Sequence, residues 1–380
     1  MMKEYEDKLN GFLRFSREEI FRTHRELCLI PAPSHFEDER AVYCKELLES
    51  FGARGVYIDG AKNVVFPLGC EGSDRITVVN AHTDTVFPAG TPLVYNDDGV
   101  TVRCPGAGDD TACLTAMLYT AKFLIGEDFR PEGGILFVCN SCEEGLGNLL
   151  GIRRIHADFA GRIARQISVD ACIGEVCDRC VGSHRYEVTV TTPGGHSFSS
   201  FGKKNAIAEA SKIISRIYGL KVPEKEGTKT TYNVGTFSGG TSVNSIAEEA
   251  SFLCEYRSDD ALCMETVKKA FEEIFEEARG DDVGVSVKQV GDRPCAGDAD
   301  REEIARMADL YCRLSQEMTG AAAVRQSAST DCNIPLSLGI PAVCVGAMTS
   351  GGAHTTGEWL KKESLIDGTR LFIRFLSELL

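Results

Sequence analysis

No run of apolar residues in this 380-residue chain is long enough to span a bilayer. The opening residues, Met1-Met-Lys-Glu-Tyr-Glu-Asp-Lys8, lack the apolar centre of a secretory leader. From both absences we expect a cytosolic protein with no membrane partner. Basic charge is also scarce: 41 Lys and Arg stand against 56 Asp and Glu, for a net charge of −15 and a pI near 5.0. Such a surface repels phosphate backbones and anionic lipid, so nucleic acid is not an expected partner. Cys177-Asp-Arg-Cys180 reads as a poor zinc ribbon, and nothing near it marks a thioredoxin-like site.

Cysteine itself is abundant, at 16 residues. Cys44, Cys113, Cys139, Cys254 and Cys344 lie among Ala, Val and Leu, and in a reducing compartment they read as small buried hydrophobes. A hydrophobic fraction of 43% with 26% charged residues is that of a soluble globular protein. The length exceeds one ordinary core and implies two domains.

Ser16-Arg-Glu-Glu19 has the form of a capping box, which predicts a helix opening there and running to about 29, where Pro31-Ala-Pro33 stops it. A second amphipathic helix is expected over 36–51 and extended segments near 56–59 and 64–67. Arg75-Ile-Thr-Val-Val79 reads as a buried strand, Tyr95-Asn-Asp-Asp-Gly-Val100 as a hairpin turn, and 106–123 as a loop opening an Ala- and Leu-rich helix. Buried strands follow at 134–139 and 165–170. Strands alternating with helices imply a mostly parallel sheet covered by helices on both faces. From about 181 the order becomes β-α-β-β-α-β, with strands at 185–191, 230–237, 250–257 and 283–290 and helices at 205–219 and 261–279. That is the ferredoxin-like unit. The α/β pattern then resumes, with a helix over 300–318, strands at 323–327 and 341–347, and a last helix from 363. The expected architecture is an α/β domain over 1–181 and 295–380, split by an inserted α+β lid over 182–294.

Ligand-type residues gather where the α/β strands end. They are His82 and Asp84 in Asn80-Ala-His-Thr-Asp-Thr-Val86, Asp109 and Asp110, Glu143 and Glu144, Asp170, Asp331 and His354. Strand carboxyl ends are where ligands collect in open α/β sheets. Mixed His and carboxylate donors suit zinc, manganese or cobalt better than magnesium or calcium. Each residue alone also has a plainer reading: Asp109 as a helix cap, Glu143-Glu144 as a solvated loop, His354 as a hydrogen-bonded loop histidine. The joint pattern is harder to explain that way.

Five ordered motifs, Asn-Ala-His82-Thr-Asp84, Gly-Ala-Gly-Asp109-Asp110, Cys-Glu143-Glu144-Gly, Val-Asp170 and Gly-Ala-His354-Thr-Thr-Gly-Glu, span nearly the whole chain. The insertion adds Gly194-Gly-His196-Ser, Gly239-Gly-Thr-Ser-Val-Asn244 and Tyr256-Arg257-Ser-Asp. Together they resemble the co-catalytic metallopeptidase family that includes peptidase T, carboxypeptidase G, acetylornithine deacetylase and aminoacylase, with peptidase T nearest in look. The resemblance implies two divalent metal ions per chain, zinc foremost. In that family's pattern Asp109 bridges them, His82 and Asp170 hold one, and Glu144 and His354 hold the other. Asp84 steadies His82, Glu143 is the general base, and the peptide bond after the bridging aspartate is often cis. Many relatives have Asp-x-Lys-Gly at the bridge, whereas this chain has Asp109-Asp-Thr-Ala, a departure that removes no ligand.

The chemistry agrees with such a pattern. Paired dications acidify a shared water and polarise the scissile carbonyl, while a neighbouring carboxylate moves the proton to the leaving amine. An oxyanion needs a further donor, for which His196, after two glycines, is the candidate. Arg257 could fork onto a substrate carboxylate, with a salt bridge to Asp259 or Asp260 as the competing role, and Asn244 could bind a substrate carbonyl. We expect a hydrolase of small peptides, with N-acyl-amino-acid amidohydrolase as the alternative and a silent metal-binding protein as the third reading. Relatives that cleave di- and tripeptides tend to carry Asp at the position of Asp170, and deacylases Glu. Many relatives dimerise through the lid, so a homodimer is expected.

Overall fold

The computed structural model describes residues 2–380. It divides into two compact units, one made of residues through Cys180 together with Gly297–Leu380, the other of Val181–Ala296.

The larger unit is built on an eight-stranded sheet. Its order is Tyr57–Ile58, Val64–Leu68, Ile135–Asn140, Ile76–His82, Ile163–Val169, Ala342–Val345, Glu175–Cys180, Val324–Ala328. The four strands from Ile135–Asn140 to Ala342–Val345 run parallel to one another. Towards one edge Val64–Leu68 and Tyr57–Ile58 turn antiparallel, and Glu175–Cys180 runs antiparallel to Ala342–Val345. Every residue of Ile76–His82 and of Ile135–Asn140 is buried. A strand covered on both faces is buried along its whole length rather than at alternate residues. On one face Val78, Leu136 and Val138 meet Ile152 and Ile155 of the helix Leu150–Asp158. Against the same sheet packs the helix Thr111–Gly126, itself flanked by Met2–Cys28 and Ser364–Leu379.

One local expectation changes. Ser16 opens no helix: it lies, buried, inside the single helix Met2–Cys28. The reason is the stripe Leu9, Leu13, Ile20 and Leu27, all buried, which continues through Ser16 at helical spacing and outweighs a capping signal. Cys177 and Cys180 belong to an internal strand, Glu175–Cys180, and both are free thiols.

The smaller unit has four antiparallel strands in the order Thr230–Gly239, Glu249–Ser258, Gly182–Thr191, Gly284–Arg293, with the helices Ala206–Tyr218 and Ala261–Glu277. Connectivity and strand order are those of a ferredoxin-like unit. Its core joins Val188, Val190, Phe252 and Tyr256 of the sheet to Ile213, Ile217, Phe271 and Phe275 of the helices. Asn205 and Asp260 cap these helices: the Asn205 side chain accepts the N–H of Ile207 at 2.9 Å, and that of Asp260 accepts the N–H of Cys263 at 2.9 Å. Thr230–Gly239 is an edge strand with most of its residues exposed. Among the described residues no helix is long and apolar enough to cross a membrane.

Candidate metal centre

Five segments of the larger unit converge. His82 is the last residue of its strand, Glu143 and Glu144 follow Ile135–Asn140, and Asp170 follows Ile163–Val169. Asp109 precedes the helix Thr111–Gly126, and His354 sits between the short strands Ser350–Gly351 and Trp359–Lys361. His354 has φ 64, a left-handed conformation seldom taken by a residue with a side chain. The peptide between Asp109 and Asp110 is cis.

Asp109 is the centre of the group. Its Oδ1 lies 3.1 Å from Nε2 of His82 and its Oδ2 3.1 Å from Nε2 of His354. Nε2 of His354 is also 3.1 Å from Oε1 of Glu144. Two donor sets result, His82–Asp109–Asp170 and Asp109–Glu144–His354, each with its ligand atoms within 4.8 Å of one another. Asp109 is common to both. Glu143 joins His82 and Glu144 within the same distance.

The electrostatics call for cations. Burial pushes the Asp170 carboxyl well above the usual range, and the neighbouring Asp110 and Asp109 push it further. Burial works the same way on Asp109, but the His354 and His82 imidazoles win and hold it below the carboxylate range. His354 is raised to about 10 by Asp109 and Glu144. Crowded carboxylates with two ring nitrogens are a donor set that divalent metals fit, and the residues present therefore suit a dinuclear centre.

The surrounding residues differ in part from expectation. Asp84 meets the His82 ring twice: Nδ1 of His82 lies 2.9 Å from the Asp84 backbone carbonyl and 3.5 Å from its carboxylate. That carboxylate accepts the N–H groups of Glu143 and Glu144, both at 2.9 Å, and the Ser34 hydroxyl at 2.6 Å. Asp110 accepts the backbone N–H of His82 at 3.0 Å. Asp331 lies among amides: its Oδ2 accepts from Asn80 at 2.8 Å and Asn140 at 2.7 Å.

Other supports carry no motif. Glu37, fully buried, accepts the Cys142 N–H at 3.1 Å. Arg40, also buried, donates to the Thr83 carbonyl at 3.0 Å and the Thr111 hydroxyl at 3.3 Å. His24 meets the Ala107 carbonyl through Nε2 at 2.8 Å. Glu358 accepts three backbone N–H groups from the loop that carries Asp109. The one sequence signal for any of these was Glu358, as the last letter of the His354 motif.

In the smaller unit His196 and Asn244 share a groove of 790 Å³ with Gly239, Gly240 and Glu248. Nδ1 of His196 accepts the N–H groups of Phe198 at 3.3 Å and Ser199 at 3.4 Å, so the neutral ring carries its hydrogen on Nε2. Asn244 accepts the Ser242 hydroxyl at 2.7 Å. Arg257 is elsewhere. Its strand pairs Ala250 with Gly239 beside the groove, and seven residues further on Arg257 is about 23 Å away at the rise of a strand. Its guanidinium forks onto Glu255, at 2.9 and 3.1 Å, rather than onto Asp259 or Asp260.

A shared carboxylate between two His-carboxylate sets at the ends of parallel strands defines a dinuclear-metal hydrolase site. The chain belongs to peptidase family M20/M25/M40, whose profile matches residues 78–378. It is 27% identical over 362 residues to the uncharacterized protein YqjE of Bacillus subtilis, covering 89% of this chain and 93% of that one. It is 24% identical over 364 residues to succinyl-diaminopimelate desuccinylase of Corynebacterium glutamicum, covering 92% and 94%. A solved tripeptidase from Staphylococcus aureus superposes with a TM-score of 0.73 at 24% identity, covering 95% of this chain and 98% of that one.

Proposed function

We propose that this protein is a two-metal peptidase that releases residues from di- and tripeptides. The observation that carries the reading is Asp109, whose two oxygens face the two donor sets. In this assignment Asp109 bridges, His82 and Asp170 hold one ion, and Glu144 and His354 the other. Zinc is the foremost candidate, with manganese and cobalt as alternatives, and such ions would acidify a water and polarise the scissile carbonyl. Glu143, whose backbone Asp84 fixes, takes the water's proton and delivers it to the departing amine. Nε2–H of His196 is the donor for the oxyanion, and Asn244, in the same groove, binds a substrate carbonyl. A peptidase preference draws support from Asp170 and from the likeness to a tripeptidase.

The same metal set serves N-acyl amino acids, and the likeness to a desuccinylase favours that second reading. Metal analysis together with hydrolysis of free dipeptides, tripeptides and their N-acetyl and N-succinyl forms decides between them. Faster cleavage of the acylated forms moves the function to an amidohydrolase, and no cleavage of either by the metal-loaded protein ends both readings. We further propose a homodimer through the smaller unit, because Thr230–Gly239 leaves a sheet edge open to pairing.

A further inference from the structure

Glu358 lies four residues beyond His354 and is 1% exposed. Its Oε1 accepts the N–H groups of Gly108 at 2.7 Å and Asp109 at 2.8 Å, and its Oε2 accepts that of Gly106 at 2.9 Å. The two chain segments are also laced through their backbones. The Glu358 N–H donates to the Thr355 carbonyl at 3.1 Å, closing the turn that directly follows His354, and the Glu358 carbonyl accepts from Cys104 at 3.3 Å. The fit leaves no slack: a Cβ on Gly108 would come within 2.9 Å of Oε1 of Glu358 and 2.7 Å of Ser350. One carboxylate thus ties the loop of Asp109 to the loop of His354.

The other donor set is anchored differently. His82 ends a fully buried strand, with its backbone N–H on Asp110 and its ring on the Asp84 carbonyl. The Asp170 N–H is bound to the carbonyl of Val345 at 3.1 Å. Neither anchor involves Glu358. Asp109 serves both donor sets, but the loop of His354 serves only one. We infer that Glu358 is a positioning residue that acts more strongly on one of the two metal sites, the one formed by Asp109, Glu144 and His354. This rests on the two-metal reading above. Charge and shape both matter, because three N–H donors converge on two oxygens. In Glu358→Gln an amide nitrogen turns a donor towards backbone N–H groups and leaves one oxygen to accept, whereas Glu358→Ala leaves all three donors buried and unpaired.

The test is a zinc titration of metal-free wild type, Glu358→Ala and Glu358→Gln in competition with a chromophoric chelator, with bound metal counted by atomic emission after dialysis. Wild type should take two ions. The variants should weaken one site about 10–100-fold, the usual cost of removing a partner that orients a ligand, and the other site by clearly less. Glu358→Gln should fall between wild type and Glu358→Ala. Unchanged binding of both ions, or equal loss of both, overturns the inference while leaving the two-metal reading intact. A wild type that binds fewer than two ions overturns that reading and this inference with it. If Glu358→Ala does not give a cooperative melt, the comparison of Glu358→Gln with wild type carries the test.

Discussion

Oδ2 of Asp84 accepts the backbone N–H of Glu144 at 2.9 Å. The same carboxylate takes the N–H of Glu143 through its other oxygen, so one buried side chain fixes two successive residues of opposite assignment, base and ligand. An amide cannot replace it, because its nitrogen has no lone pair to offer either N–H. Asp84→Asn is therefore expected to lower kcat about 10–100-fold, as losses of such outer partners do, with KM little changed. Steady-state kinetics on a dipeptide checks this; wild-type kcat in Asp84→Asn would remove the positioning role.

Glu143 and Glu144 should separate cleanly. Glu143→Gln is expected to retain two metals and the wild-type melting profile while losing about 10²–10⁴-fold in turnover, the usual contribution of a general base. Glu144→Gln should instead lose metal on dialysis, because its carboxylate completes the set with His354 and Asp109. Metal content and kcat measured on both proteins distinguish the roles. The reverse pattern would exchange them.

Arg257 was the sequence-based candidate for binding a substrate carboxylate, and its fork onto Glu255 changes the expectation. The pair is partly exposed, and such pairs contribute about 0.2–1 kcal/mol. Arg257→Ala is expected to shift stability by no more than that. It should leave the ratio of kcat/KM for a dipeptide over its C-terminal amide at the wild-type value. A collapse of that ratio in Arg257→Ala would return the residue to substrate recognition.

His196 should act on the rate and not on the metals. His196→Ala is expected to lower kcat with full metal content. If the dimer carries this histidine to the partner's centre, mixing inactive His196→Ala with inactive Glu143→Gln chains should restore part of the activity. Sedimentation of the wild type and activity of the mixture are the measurements. A monomer of full activity rules the dimer out, and a dimer with no complementation places His196 in its own chain's chemistry.

Acid sensitivity has a source outside the centre. Burial lowers the His24 pKa to about 4, and the ring is held neutral, its Nε2–H on the Ala107 carbonyl and its Nδ1 beside the Tyr95 hydroxyl. The unfolded state binds a proton here below the ordinary value near 6.5 and the folded state does not until about pH 4. Stability from this residue is thus complete above pH 6.5 and falls as pH drops towards 4, by about 3 kcal/mol. Urea unfolding of His24→Gln should show a shallower pH slope across that window than wild type. Equal slopes would show that His24 titrates alike in both states.

The sequence alone offered nine ligand-type residues near the ends of its elements, because periodicity locates those ends without any tertiary knowledge. The family resemblance singled out His82, Asp109, Glu144, Asp170 and His354 among them, and the fold brings these five into two candidate donor sets. The split of the chain around a β-α-β-β-α-β insertion was legible from periodicity as well, since each element carries its own local pattern. What supports the ligands was not legible. Glu37 reaches Cys142 across 105 residues with nothing local to mark it, and Glu358, the last letter of the His354 motif, reaches Asp109 across 249 with nothing local to name its partner. Asp84 was read as a partner of the nearest ring, and packing brought it two backbone donors as well, since a buried carboxylate goes where N–H groups converge. Ser16 shows the limit from the other side: its capping signal is local, and the apolar stripe on either side of it, buried against other helices, decided the helix. Local chemistry supplies the candidate ligands, and only tertiary packing decides which buried polar groups must pair to hold them in place.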